Sequence, residues 1–205
     1  ALSRVARLMG PYLPAISRSI IRHFGPKKSA QTQVWQKGSV FFNTHDLSGG
    51  AAKVARALFN AQKEVEPAHF FVKHKKTEDP NIHTIPEFEK IPARLRFYLE
   101  QAAENEGWLD YDALNPLGLL NHEHFAAADL VHFHNLHGAY FSYELLPLLS
   151  RGKSVVWTIH DMHPLTGHCG FSMECEAWKT GCGNCPDLNI YPSIKKDRTA
   201  YLHQR

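Results

Sequence analysis

Four cysteines fall within 17 residues of this 205-residue chain: Cys169, Cys175, Cys182 and Cys185, spaced C-x5-C-x6-C-x2-C. The close Cys182–Cys185 pair has the spacing of half a zinc knuckle, and Gly181 and Gly183 permit the tight turn that a chelating pair needs. Four thiolates can close a structural zinc site. The same residues can instead form two disulfides in an oxidising compartment, hold an iron–sulfur cluster, or remain free thiols in a packed loop. With no export signal in the sequence, reduced thiols and zinc are favoured.

Just upstream, His160 and Asp161 follow the apolar run SVVWTI at 154–159. An imidazole just past a buried strand is suited to hydrogen bonding or proton transfer near neutral pH, or to a structural bond to a loop carbonyl. Neighbouring side chains on extended backbone point opposite ways, so Asp161 need not touch His160. Eight of the 14 histidines lie between His122 and His168. His132, His134 and His137 form H-x-H-x-x-H, the pattern of a His-ligated metal hydrolase, although Leu136 stands where such a motif carries Asp. Finally, Gly49-Gly50 sits between an apolar run and a helical pattern. There it either closes an ordinary turn or brings backbone N–H groups to a phosphate. No Walker lysine and no G-x-G-x-x-G accompany it, so neither a P-loop nor a dinucleotide site is supported.

These residues need elements to position them. Short apolar runs at 39–43 (SVFFN), 69–72 (HFFV), 82–85, 130–134 (LVHFH) and 154–159 read as strands. Residues 51–65, 91–105 and 139–149 read as helices, the first capped by Ser48 with Val54, Ala55, Leu58 and Phe59 on one side. The alternation predicts βαβ units: an α/β fold with a Rossmann-like parallel sheet flanked by helices. Ligands of such sheets bind beyond the carboxyl ends of the strands. Here those ends carry His45 and Asp46, His134 and Asn135, and His160 and Asp161, a cleft with three contributing strands.

The net charge of +3 conceals an asymmetry. Residues 1–38 hold seven Lys/Arg and no acid, which leaves −4 for residues 39–205. The chain therefore divides into a basic arm with two short amphipathic pieces (2–9 and 15–24) and a linker, then the α/β domain at 39–205. The arm suits an anionic membrane surface or a partner. Nucleic acid is disfavoured, because the domain is acidic and the arm lacks interleaved aromatics. No run reaches the roughly 20 apolar residues that a transmembrane helix needs.

In order, SGGAAKVARAL, DLVHFHNLHG, VVWTIHDMHPLTGHC and CEAWKTGCGNCP resemble bacterial family-4 glycosyltransferases, from about residue 39 to about 199. The resemblance implies the N-terminal, acceptor-side half of a retaining GT-B enzyme. Such an enzyme moves a sugar from a nucleotide-sugar donor to a glycan or lipid-linked acceptor in polysaccharide biosynthesis, with no metal needed for transfer. It implies Gly49 and Gly50 under the donor diphosphate, His160 against the donor sugar and Asp161 shaping that pocket. His45, Asp46, His134, Asn135 and His163 would line the acceptor side. Family members more often carry Trp at position 163, so the acceptor wall differs here. The donor-binding half of the family brings two glutamates eight positions apart, and no pair in this chain has that spacing. A donor-binding domain is therefore expected in cis or in trans, with the chain inactive alone. The expected location is cytoplasmic, or peripheral at the inner face of the membrane. A glycan- or membrane-surface-binding module is the alternative from outside enzymology.

Overall fold

The computed structural model describes residues 19, 38–86, 92–108, 110 and 115–204. The amphipathic pieces and linker assigned to the basic arm lie outside the described residues, apart from Ser19. Five parallel strands form one sheet in the order β3-β2-β1-β4-β5, where β1 is Ser39–His45, β2 Ala68–His74, β3 Ile82–Thr84, β4 Leu130–Phe133 and β5 Ser154–Trp157. The helices are α1 (Gly50–Lys63), α2 (Ala93–Glu106), α3 (Glu123–Ala127), α4 (Leu146–Leu149) and α5 (Thr199–His203). This is the α/β, Rossmann-like arrangement that the alternating pattern predicts.

Strand periodicity sorts the core into two layers. Val40 and Phe42 of β1 face one side, with Phe71, Val131 and Phe133 of the neighbouring strands and Leu99, Ala102 and Ala103 of α2. Phe41 faces the other side, with Phe70, Val72 and Ile82 and with Ala55 and Phe59 of α1. Apolar residues on both faces explain why β1 and β2 read as near-continuous apolar runs. The chain runs outward from β1 through β2 to β3, then returns to β4 on the other side of β1. Direction thus reverses between β1 and β4, and the carboxyl ends at such a reversal are where ligands of parallel sheets bind.

Four local expectations are corrected. Ser48 does not cap α1: Gly49 occupies the cap with φ 93°, no side chain bonds the first turn, and Ser48 Oγ instead accepts from Lys76 Nζ at 2.9 Å. The buried stripe of α1 is Ala52, Ala55 and Phe59, whereas Val54 and Leu58 are exposed. The helix is rotated so that Ala55 and Phe59 meet the sheet while Val54 and Leu58 face away from it. Residues 139–149 are not one helix. Ala139 sits in the left-handed region (φ 56°), and only a 3-10 turn at Tyr143–Leu145 and the four-residue α4 follow. Pro147, with no N–H to donate, tolerates only the first turn of a helix. The strand β5, read as buried, is instead the sheet edge, and both Val155 and Val156 are exposed.

Candidate functional site at the strand ends

The ends of β1, β4 and β5 are stitched together by polar side chains. Asn43 at the end of β1 is buried, donates Nδ2–H to the His45 carbonyl (2.7 Å), and accepts the Asn135 N–H on Oδ1 (3.2 Å). Thr44 donates to the His137 carbonyl at 3.1 Å. The Trp157 indole donates to the His134 carbonyl at 2.9 Å, which fixes β5 beside β4. Beyond β1 the chain turns at Gly49, whose positive φ favours glycine. A Cβ on either Gly49 or Gly50 would meet nothing within 4 Å, so the start of α1 faces open space. Its first N–H groups have no side-chain cap, and the 14-residue helix places partial positive charge there.

His132 of β4, and His134 and His137 just after it, pair with groups past β5. His132 meets Thr158 Oγ1 at 2.8 Å, His134 Nδ1 meets His160 Nε2 at 2.8 Å, and His137 Nε2 donates to Asp161 Oδ2 at 2.7 Å. Burial, reinforced by His132 and His160, pushes His134 down to about 3. Burial also lowers His160, partly offset by the Asp161 charge. Both rings are therefore neutral at pH 7, and one must donate to the other. His134 Nε2 is buried with no partner among the described residues. Were His160 the donor, His134 would carry a buried orphan N–H there, which proteins avoid more strictly than an idle acceptor. The network therefore assigns the shared proton to His134 Nδ1 and leaves His160 with N–H at Nδ1. The half-buried His160 thus offers a hydrogen-bond donor where the strands end.

Asp161 does not touch His160. Burial acts to raise it, but hydrogen bonds from His137 and from the His163 amide (3.0 Å) hold its carboxyl below the usual range. His163 is buried, with Tyr143 Oη on Nδ1 at 2.7 Å and Asp110 Oδ2 3.7 Å from Nε2. Burial pushes His163 down to about 3, and it pushes Asp110 up to about 6. Sequence reading missed Asp110, Tyr143 and the pairing of His137 with Asp161, all of which depend on contacts between distant segments.

The expected site residues thus separate by exposure. Gly49, Gly50, Asn135 and His160 stand at accessible strand ends, whereas His134 and His163 are buried beneath them. His45 stacks on His74 of β2 (centroids 4.7 Å apart), on the far side of β1 from β4. Asp46 is wholly buried and ties down the loop after β2, accepting from the Lys76 and Thr77 amides and from the Thr77 hydroxyl at 2.8–3.0 Å. Burial acts to raise its pKa, but these four donor contacts hold it below 3.8. A carboxyl whose folded pKa is depressed stabilises the fold above its unfolded pKa and loses that contribution as pH falls through the folded value. Asp46→Asn should accordingly cost about 1–3 kcal/mol at pH 7, measured by urea unfolding. The difference from the parent should shrink below pH 3.8.

The buried histidines act in the same direction over a different pH range. Their folded pKa values lie below the ordinary 6.5, so the unfolded chain takes up more protons as pH drops. Their contribution is complete above 6.5 and declines below it, by about 1.4 kcal/mol per pH unit for each ring. Asp110, raised to about 6, opposes one such slope between 6 and 3.8. The urea midpoint should therefore fall between pH 7.5 and pH 5, and a flat or rising midpoint would contradict this burial.

All four cysteines are unbridged and line one pocket of about 30 Å³ with His168, whose Nε2 is 3.4 Å from Cys185 Sγ. Gly181 and Gly183 have φ of 109° and 138°, which gives the sharp turn between Cys182 and its neighbours. Burial raises the Cys182 and Cys185 thiols. A soft donor set around one small pocket fits a thiolate-bound metal. Among the described residues, however, the His/Cys/Asp/Glu group whose ligand atoms lie within 4.8 Å of one another is His69, His83 and His124. The H-x-H-x-x-H histidines form no such group, because their nitrogens are turned to Thr158, His160 and Asp161. No helix among the described residues is long and apolar enough to cross a membrane.

Over 80 residues the chain is 40% identical to a protein of Escherichia coli (strain K12) assigned as a colanic acid biosynthesis glycosyl transferase, WcaC. The match covers 36% of this chain and 20% of that protein, so the chain corresponds to about a fifth of the relative's length. No family profile matches, and no solved structure matches.

Proposed function

We propose that this chain is the acceptor-side half of a family-4, retaining GT-B glycosyltransferase that moves a sugar from a nucleotide-sugar to a glycan or lipid-linked acceptor in polysaccharide biosynthesis. The 40% identity to a glycosyl transferase carries the reading. The parallel sheet with its polar strand ends supports it, because ligands of such sheets sit at this edge. Transfer breaks the bond between the anomeric carbon and the diphosphate oxygen, and negative charge grows on the departing diphosphate. The uncapped N-terminus of α1 behind Gly49 and Gly50 offers oriented N–H groups to that charge. His160 donates from Nδ1 to the sugar, and His134 fixes its tautomer and orientation from below. Asp161, held by His137 and the His163 amide, keeps the loop after β5 in place rather than exchanging protons.

The second half of the cleft, with the bulk of the nucleotide contacts, is assigned to a donor-binding domain in cis or in trans. The cysteine loop is scaffolding on this reading. Zinc bound by Cys169, Cys175, Cys182 and Cys185 would fix the loop's shape and take no part in transfer. The test is a transfer assay over a panel of UDP- and GDP-sugars, using the 205-residue chain alone and together with a donor-binding half. Turnover is expected only in combination; turnover by the chain alone would refute the division of labour.

A further inference from the structure

A second group of histidines lies at the opposite edge of the sheet. His69 is the second residue of β2, His83 the middle residue of β3, and His124 belongs to α3, which leads into β4. His69 Nδ1 and His83 Nε2 are 3.0 Å apart, and one ligand nitrogen from each of the three rings falls within 4.8 Å of the others. We propose that His69, His83 and His124 bind a divalent transition-metal ion, Zn2+ foremost, at this edge of the sheet.

Two nitrogens on a tetrahedral zinc, each about 2.0–2.1 Å from the metal, stand roughly 3.3 Å apart, so the His69–His83 spacing is already close to that of a ligand pair. The rings come from three separate elements, so the metal would clip the three-residue β3 and the short α3 to the body of the sheet. His124 is the ring that must move. It lies flat on His69, centroids 3.6 Å apart and 7° from parallel, and a metal must sit near the plane of each imidazole that binds it. Its side chain is 35% exposed, and its Nε2 lies 3.8 Å from Glu123 Oε1, a contact at the surface that a tilt toward the metal would exchange.

Two further observations point to a ligand here. The Nδ1 of His122 is buried without a partner among the described residues, and its ring lies 5.3 Å from that of His83. An open pocket of about 180 Å³ borders His69 and His124, leaving a fourth coordination position accessible to water or an anion. Imidazole nitrogens with no thiolate suit Zn2+, Ni2+ or Cu2+ rather than Mg2+ or Ca2+.

The thiols of the cysteine loop would compete for the same metals, so the primary test uses the chain with all four cysteines changed to Ser. Metal-free protein is titrated with ZnCl2 by calorimetry. One equivalent is expected to bind and to raise the melting temperature by linkage. His124→Ala should weaken binding at least about ten-fold, judged against the 10–100-fold lost on removing even outer-sphere partners. As a partly exposed residue, His124 can be replaced with the fold retained. No binding, or binding undiminished by both His124→Ala and His69→Gln, overturns the site. Should the four-Ser chain not fold, the unmodified chain answers by difference. It should retain one more equivalent of Zn2+ than its His124→Ala variant, and equal stoichiometry overturns the proposal.

Discussion

On the proposed function, sugar transfer by the chain combined with a donor-binding half is expected to fall about 10²–10³-fold when His160 is changed to Ala, the usual loss when one aimed donor to a transition state is removed. The loss should appear in kcat more than in KM, because the bond strengthens as charge moves during transfer. The expectation rests on the tautomer: with the shared proton on His134 Nδ1, His160 presents N–H at Nδ1. His134→Ala should reproduce part of the defect by freeing the ring, whereas Asp161→Asn should act mainly through the His137 and His163 contacts. Undiminished turnover in His160→Ala would remove His160 from the chemistry.

Phe42→Ala should cost about 3–5 kcal/mol of folding stability, read from urea unfolding. Phe42 is fully buried in the central strand β1 and meets the rings of Phe71, Phe125, Phe133 and Phe141 at centroid distances of 5.4–6.1 Å. Its neighbours come from β2, α3, β4 and the loop after it, so the cavity cannot close by moving a single element. β1 and β4 are direct neighbours in the sheet, with Phe42 opposite Phe133 in the register. A loss under about 1 kcal/mol would mean that the core collapses into the space and is not close-packed there.

The strands were legible because β1 and β2 are buried on both faces, and burial leaves apolar runs that periodicity can read. The strand ends were legible for the same reason, since polar residues begin where burial stops. What the sequence could not show was long-range. The residues at 139–149 carry helical spacing, but the left-handed Ala139 and Pro147 break the pattern. Ser48 is a sound N-cap by type, yet Lys76 engages its hydroxyl and Gly49 takes the cap. Asp46 has the character of a cleft carboxylate, and only the loop after β2 reveals that its oxygens are already spent. His69, His83 and His124 are 14 and 41 residues apart, so no spacing motif could unite them. They converge only because β3 and β2 are paired and α3 packs beside them.

The central claim is that this chain meets a sugar nucleotide at the carboxyl ends of β1, β4 and β5. Amide and imidazole chemical-shift mapping of the isotope-labelled chain, titrated with UDP-glucose and GDP-mannose, tests it most directly. At least one of the two is expected to shift the amides of Gly49, Gly50 and Ala51 together with the His160 ring. Shifts confined to the cysteine loop or to the His69 edge, with Gly49, Gly50 and His160 unmoved, would contradict it.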